Sequence, residues 1–234
     1  MQRAQSVDWM VVPGIDAASS RAAIELCAEH SDRLVPTVGL HPHDAEHHDA
    51  QWPELVELAG AAVAIGETGL DYYRDLSPRA VQRVNLGRHI ELAADLGKPL
   101  VVHCRDAFAD IHEMVESSGI GPSTVLHCWT GGPRWTRRFL DLGVTFSFAG
   151  PVAFDTGDTV RRGAALVPPE RAMVETDTPY LAPPPHRSED NEPEWVSLVG
   201  AALARVWSIG EAEAMAATTK RAGELFGGPP GVTP

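Results

Sequence analysis

The chain has 234 residues and a formal net charge of −13, with 44% hydrophobic and 22% charged residues. That length and balance suit one large α/β domain. The acidic surplus argues against a broad, sequence-independent grip on nucleic acid, which relies on Lys and Arg, but not against a small cleft whose positive charge comes from metal ions. No run reaches the ~18 apolar residues of a membrane helix, and the start MQRAQSVDWMVVPG lacks the apolar core and cleavage site of a secretory signal. Three cysteines do not make a disulfide framework, so a reducing, cytoplasmic setting is expected.

In chain order, strand-like runs fall at 7–12, 34–40, 62–67, 99–104, 124–128, 144–148 and 171–175, each followed by a helical segment. Strand alternating with helix predicts βα units and a parallel sheet. Ser77 and Pro78 read as an N-cap and first-turn pair, and Leu86, Ile90 and Ala93 recur on one helical face. Gly97 and Gly143 read as C-terminal stops. No linker composition interrupts the pattern, which predicts one domain over 1–226 and a frayed tail, GGPPGVTP, over 227–234. The expected fold class is α/β, a (β/α)8 TIM-barrel type with seven strands present and the first apparently missing. Such a fold carries its function at the carboxyl ends of the strands.

Four of those ends bear side chains able to hold a metal. They are Glu67 in AVAIGETGLDYYRD, His103 in PLVVHCRDA, His127 in TVLHCW, and Glu175 with Asp177 in AMVETDTPYL. A lone acid at a strand end suits a solvated loop, and a lone His after two valines suits a satisfied core. Four at four ends instead point to a divalent cation (zinc, manganese or magnesium) serving hydrolysis. Period-two alternation turns Cys104 and Cys128 away from their histidine neighbours, as buried thiols rather than ligands, and Cys27 reads as helical core. His41 and His43, flanking Pro42 in VGLHPHDAEHHD, either bind substrate phosphate or donate a proton, or simply shape a loop with Asp44. His47 and His48 are expected in solvent. Arg105 either clamps a phosphate or pairs with Asp106 or Asp71. In the loop after the last strand, Tyr180, Arg187 and Asn191 are candidates for substrate contact, and a rigid lid is the other reading.

Taken together, GLHPHDA, AIGETGLDYYRDLSP, VVHCRDA, LHCWTGG, FSFAGPVAF and ETDTPYLAPPPHR…NEP resemble the TatD family of metal-dependent deoxyribonucleases, in unbroken order from about Val11 to Phe226. The resemblance implies an amidohydrolase-like barrel with one or two divalent metal ions. It implies that Glu67 bridges the metals, that His103 and His127 serve the second, and that Asp177 serves the first. The implied activity is hydrolysis of DNA phosphodiester bonds by metal-activated water.

Two departures stand out. The family's opening His-x-His strand has no counterpart before His41, and Ser188 and Glu189 stand where the family usually has Gly-Lys. A missing strand leaves exposed sheet edges, from which self-association is expected. The other readings are a truncated or degenerate non-catalytic homologue, and a metal hydrolase acting on another phosphoester or an amide.

Overall fold

A computed structural model describes residues 4–230. Two compact units are distinguished, one centred on Trp9–Leu126 and the other on His127–Glu224. All seven expected runs hold a strand, and every strand is followed by a helix.

The first unit carries β1 (Met10–Val12), α1 (Ala17–Glu29), β2 (Leu34–Val38), α2 (His48–Ala59), β3 (Ala64–Asp71), α3 (Arg79–Leu96), β4 (Leu100–Arg105), α4 (Phe108–Ser118) and most of β5 (Thr124–His127). β1 to β4 pair in chain order and in parallel, with Met10 opposite Leu34, Thr37 opposite Ala64 and Ile65 opposite Leu100. β2 and β3 are buried along their whole length, as strands of a parallel sheet covered on both faces are. Ala17, Val38, Leu40, Leu55 and Ala62 form a core against which Ile24, Trp52 and Leu58 pack. Each fully buried leucine there contributes about 1.5–3 kcal/mol. α1 starts on a capping box: Asp16 Oδ1 accepts the Ser19 N–H at 2.6 Å while Ser19 Oγ accepts the Asp16 N–H at 3.0 Å. α3 closes at Gly97, in the left-handed region at φ 62°, with the Lys98 N–H reaching back to the Ala93 carbonyl. Leu86, Ile90 and Ala93 form the buried face of α3, as the sequence predicts.

The second unit carries α5 (Pro133–Asp141), β6 (Thr145–Phe148), α6 (Asp158–Ala164), β7 (Ala172–Val174), α7 (Val196–Trp207) and most of α8 (Glu211–Phe226). β6 and β7 pair in parallel with Phe146 opposite Ala172. Trp129 is fully buried, edge-on to Phe139 and Phe146 at 5.4 and 5.3 Å, and its indole N–H donates to Thr136 Oγ1 at 3.0 Å. Among the described residues, no helix is long and apolar enough to cross a membrane.

Several local expectations need correction. β1 begins at Met10, because residues 7–9 do not join the ladder with β2. Ser77 does not cap α3: the helix starts at Arg79 after Pro78, and Ser77 Oγ donates instead to the His43 carbonyl at 2.8 Å. His48 is buried, stacked on Trp52 at 4.9 Å, because its position at the start of α2 turns the ring inward; His47 is exposed as expected. Cys27 and Cys104 are buried, but Cys128 is half-buried, at φ 45° in the turn that follows β5. Of the tail over 227–234, residues 231–234 lie outside the described residues.

Candidate metal centre

The sequence predicts that β3 ends on Glu67, but the strand runs on to Asp71, which is just as buried. The glycines explain the misreading. Gly66 and Gly69 adopt φ of 129° and 142°, and the pairing with β4 shifts register between Ile65 and Thr68. A side chain at Gly66 would strike the Val101 carbonyl, and one at Gly69 the His103 carbonyl. The pair lets β3 bulge while staying close against β4, so one strand presents two acids, Glu67 and Asp71. On β4, buried Val102 and Cys104 alternate with half-buried His103, so period two sets the imidazole on the face opposite the thiol. Burial pushes the Cys104 thiol far up, and that of Cys27 up to about 11, which keeps both protonated and unreactive.

These elements gather four of the predicted residues in the first unit. His103 Nδ1 lies 3.2 Å from Glu67 Oε1, and His41 Nε2 lies 3.5 Å from the same oxygen. His41 and His43 pack edge to face at 4.2 Å, and His41 and His103 at 4.6 Å. Asp71 completes the group: its Oδ2 is 2.9 Å from His43 Nε2 and 3.2 Å from His103 Nε2. Its Oδ1 accepts the backbone N–H groups of Tyr73 and Arg74 at 3.0 and 2.8 Å. Burial by itself would raise the Asp71 pKa, but the hydrogen bonds it accepts from His103, the Arg74 N–H and His43 outweigh it and hold the carboxylate well below its usual range. Burial lowers the His41 pKa to about 3, against the upward pull of Glu67, so its ring is neutral at pH 7. His41 Nδ1 accepts the His43 backbone N–H at 3.2 Å, so the ring proton sits on Nε2, facing Glu67.

The second unit holds a matching arrangement. His127, at the end of β5, faces Glu175 with Nδ1 at 2.9 Å from Oε1 and Asp177 with Nε2 at 3.5 Å from Oδ1. Ser147 Oγ donates to Glu175 Oε2, and the Glu175 N–H donates to the Phe148 carbonyl at 3.0 Å. Asp177 stands at φ 62°, a left-handed conformation that Asp tolerates better than most residues. Asn191 ties this turn together. It is buried, and its side-chain amide donates to the Thr176 and Tyr180 carbonyls at 2.6 and 2.7 Å. Its predicted substrate contact is thus corrected to a scaffold role, since its amide protons are spent on the loop. Arg187 stacks over Phe154 at 3.5 Å and donates to the Ala182 carbonyl at 3.0 Å, and Tyr180 is exposed. Arg105, in the first unit, lies over the Tyr73 ring at 4.1 Å.

The donor set suits a divalent cation. Ligand-capable atoms of His41, Glu67 and His103 fall within 4.8 Å of one another. Glu67 and His103 offer an oxygen and a nitrogen, a pairing that serves zinc or manganese well, while His41, with its proton on Nε2, stands beside them as a hydrogen-bond donor. The predicted quartet forms as two pairs, Glu67 with His103 and His127 with Asp177, each inside one unit. Sequence reasoning missed Asp71 as a member of the site, and it named Glu175 as able to hold a metal without giving it a place in the implied ligand set. The signal for Asp71 was present: it follows Glu67 by four residues, in a segment whose two glycines allow the strand to continue.

Carboxylates facing imidazoles at the ends of parallel strands suit hydrolysis by a bound cation. Comparison with known proteins agrees: this is a metal-dependent hydrolase with a seven-stranded fold of the (β/α) barrel type. A family model described as TatD related DNase matches residues 1–227, and the chain belongs to that family. It is 32% identical over 228 residues to the uncharacterized metal-dependent hydrolase YabD of Bacillus subtilis, covering 96% of this chain and 89% of the relative. It is 35% identical over 199 residues to the 3'-5' ssDNA/RNA exonuclease TatD of a Rahnella species, covering 82% and 74%. The crystal structure of YJJV, a TatD homolog from Escherichia coli K12, superposes with a TM-score of 0.90 at 25% identity, covering 97% of this chain and 90% of that one.

Proposed function

We propose that the protein is a nuclease that hydrolyses DNA phosphodiester bonds, with Glu67, His103, His127 and Asp177 holding one or two divalent cations. The observation that carries this reading is the Glu67–His103 pair at 3.2 Å, flanked by His41 and His43, in a chain whose relatives include proteins named as ssDNA/RNA exonucleases. When bound, a divalent cation lowers the pKa of water to about 7 and offsets negative charge on a phosphoryl oxygen. The chain's own residues do the rest. Glu67 and His103 supply an oxygen and a nitrogen from adjacent strands held in register by Gly69. His127 and Asp177 supply a second such pair. The neutral His41 ring directs its Nε2 proton toward Glu67 Oε1, 3.5 Å away. His43, 30% exposed at its side chain, is placed to meet substrate, and the Arg105 fork suits phosphate oxygens. Tyr180 and Arg187 are proposed as further substrate contacts, Tyr180 through its exposed ring, on which a base would stack.

The test uses the whole chain, stripped of metal with EDTA, and single-stranded DNA labelled at one end. Magnesium, manganese and zinc are added back separately, and products are resolved on a denaturing gel. Shortened products with at least one cation, none with EDTA, and a loss of about 10²-fold or more in Glu67→Gln and His127→Ala are expected. No cleavage with any of the three cations, or undiminished cleavage by Glu67→Gln, would overturn the reading.

A further inference from the structure

We infer that Asp71 is a positioning residue that decides which ring nitrogen of His103 and of His43 carries the proton. The argument is one of donors and acceptors. The Asp71 carboxylate is 1% exposed and accepts from four directions: two backbone N–H groups at Oδ1 and two imidazole Nε2 atoms at Oδ2. An ionised carboxylate only accepts, so both rings must present Nε2–H to it. The turn that supplies the Tyr73 and Arg74 N–H groups locks the carboxylate in place, and the Asp71 N–H is itself held by Gln82 Oε1 at 2.9 Å.

For His103 this has a consequence. With the Nε2 proton committed to Asp71, Nδ1 faces Glu67 Oε1 at 3.2 Å. A ring nitrogen and a carboxylate oxygen at that distance share either a proton or a cation. Asp71 therefore leaves the Nδ1 lone pair for the metal while keeping the opposite nitrogen protonated, the arrangement by which an outer carboxylate orients a ligating histidine. The metal-binding part of this consequence rests on the proposed role of Glu67 and His103 as ligands; the proton placement does not.

Asp71→Asn tests it. The two backbone donors keep the amide oxygen at the Oδ1 position, so the –NH2 replaces Oδ2 and presents donors to both Nε2 atoms. His103 must then move its proton to Nδ1, against Glu67. Long-range ¹H–¹⁵N spectra of the imidazoles are recorded on EDTA-treated protein near pH 8, and Mn²⁺ affinity is measured by calorimetry. In the unsubstituted chain Nε2 of His103 and of His43 is expected to be protonated. In the variant Nε2 of both is expected to be bare and the Mn²⁺ Kd to rise about 10–100-fold. A bare His103 Nε2 in the unsubstituted chain overturns the inference, and this holds even where the variant fails to fold. So does a variant whose His103 Nε2 stays protonated, whatever its affinity. Unchanged Mn²⁺ affinity in a variant whose rings have switched supports the positioning role and removes His103 from the metal ligands.

Discussion

Acidifying the protein from about pH 7.5 to pH 5 should cost it about 2 kcal/mol of stability through His89 alone. This ring is fully buried in α3; its Nδ1–H donates to the Asn85 carbonyl at 2.8 Å, and its Nε2 accepts the Leu40 N–H at 3.1 Å. Protonation would set a second N–H against the Leu40 donor, at a position that is 1% exposed. Burial accordingly holds the pKa at about 4, below the ordinary 6.5, despite the upward pull of the Asn85 carbonyl. Because the folded value is depressed, the unfolded chain binds more protons between those two values. The stabilisation is complete above about pH 6.5, falls as the pH drops, and stops changing near pH 4. The whole effect is worth about 3 kcal/mol and the part reached at pH 5 about 2, a large share of a typical ~5–15 kcal/mol. Urea titrations at both pH values, on the unsubstituted chain and on His89→Gln, isolate it. The glutamine oxygen can accept the Leu40 N–H without titrating, and His41, whose depressed pKa acts with the same sign, is present in both proteins. Equal losses of stability on acidification in the two proteins would refute the argument.

Two further outcomes follow from the same structure. Gly69→Ala places a methyl group into the His103 carbonyl at a φ that side chains rarely adopt, so it should lower stability by about 1–3 kcal/mol from overpacking, with strain in addition; an unchanged urea midpoint would contradict the close packing of β3 on β4. Asn191→Ala strips the Thr176 and Tyr180 carbonyls of their donor and should destabilise by about 1–3 kcal/mol, read in a thermal melt. Lost activity with an unshifted melt would instead return Asn191 to the substrate.

Much of the fold is legible in the sequence because it follows from local patterning. Alternating apolar runs and helical faces mark all seven strands, and Gly97 marks the end of α3 through its left-handed backbone. The pairing of Glu67 with His103 is foreshadowed because both sit where consecutive parallel strands end. The errors cluster where local signals compete with distant partners. Ser77 looks like a cap but finds the His43 carbonyl, 34 residues away. His48 looks like a loop residue but stacks in the interior on Trp52. Asn191 looks like a loop-tip contact, yet its amide is consumed by backbone carbonyls.

By itself, then, the sequence determined the residue types and their rhythm: a βα repeat, acids and imidazoles at strand ends, and glycines where backbones must nearly touch. Only the tertiary structure decided which of those groups meet. Asp71 joins His43 and His103 across 28 and 32 residues, and His89 joins Leu40 across 49. Proton placement and pKa depend on burial and on the partner at hydrogen-bond distance, and neither property exists along the chain until the strands and helices have packed.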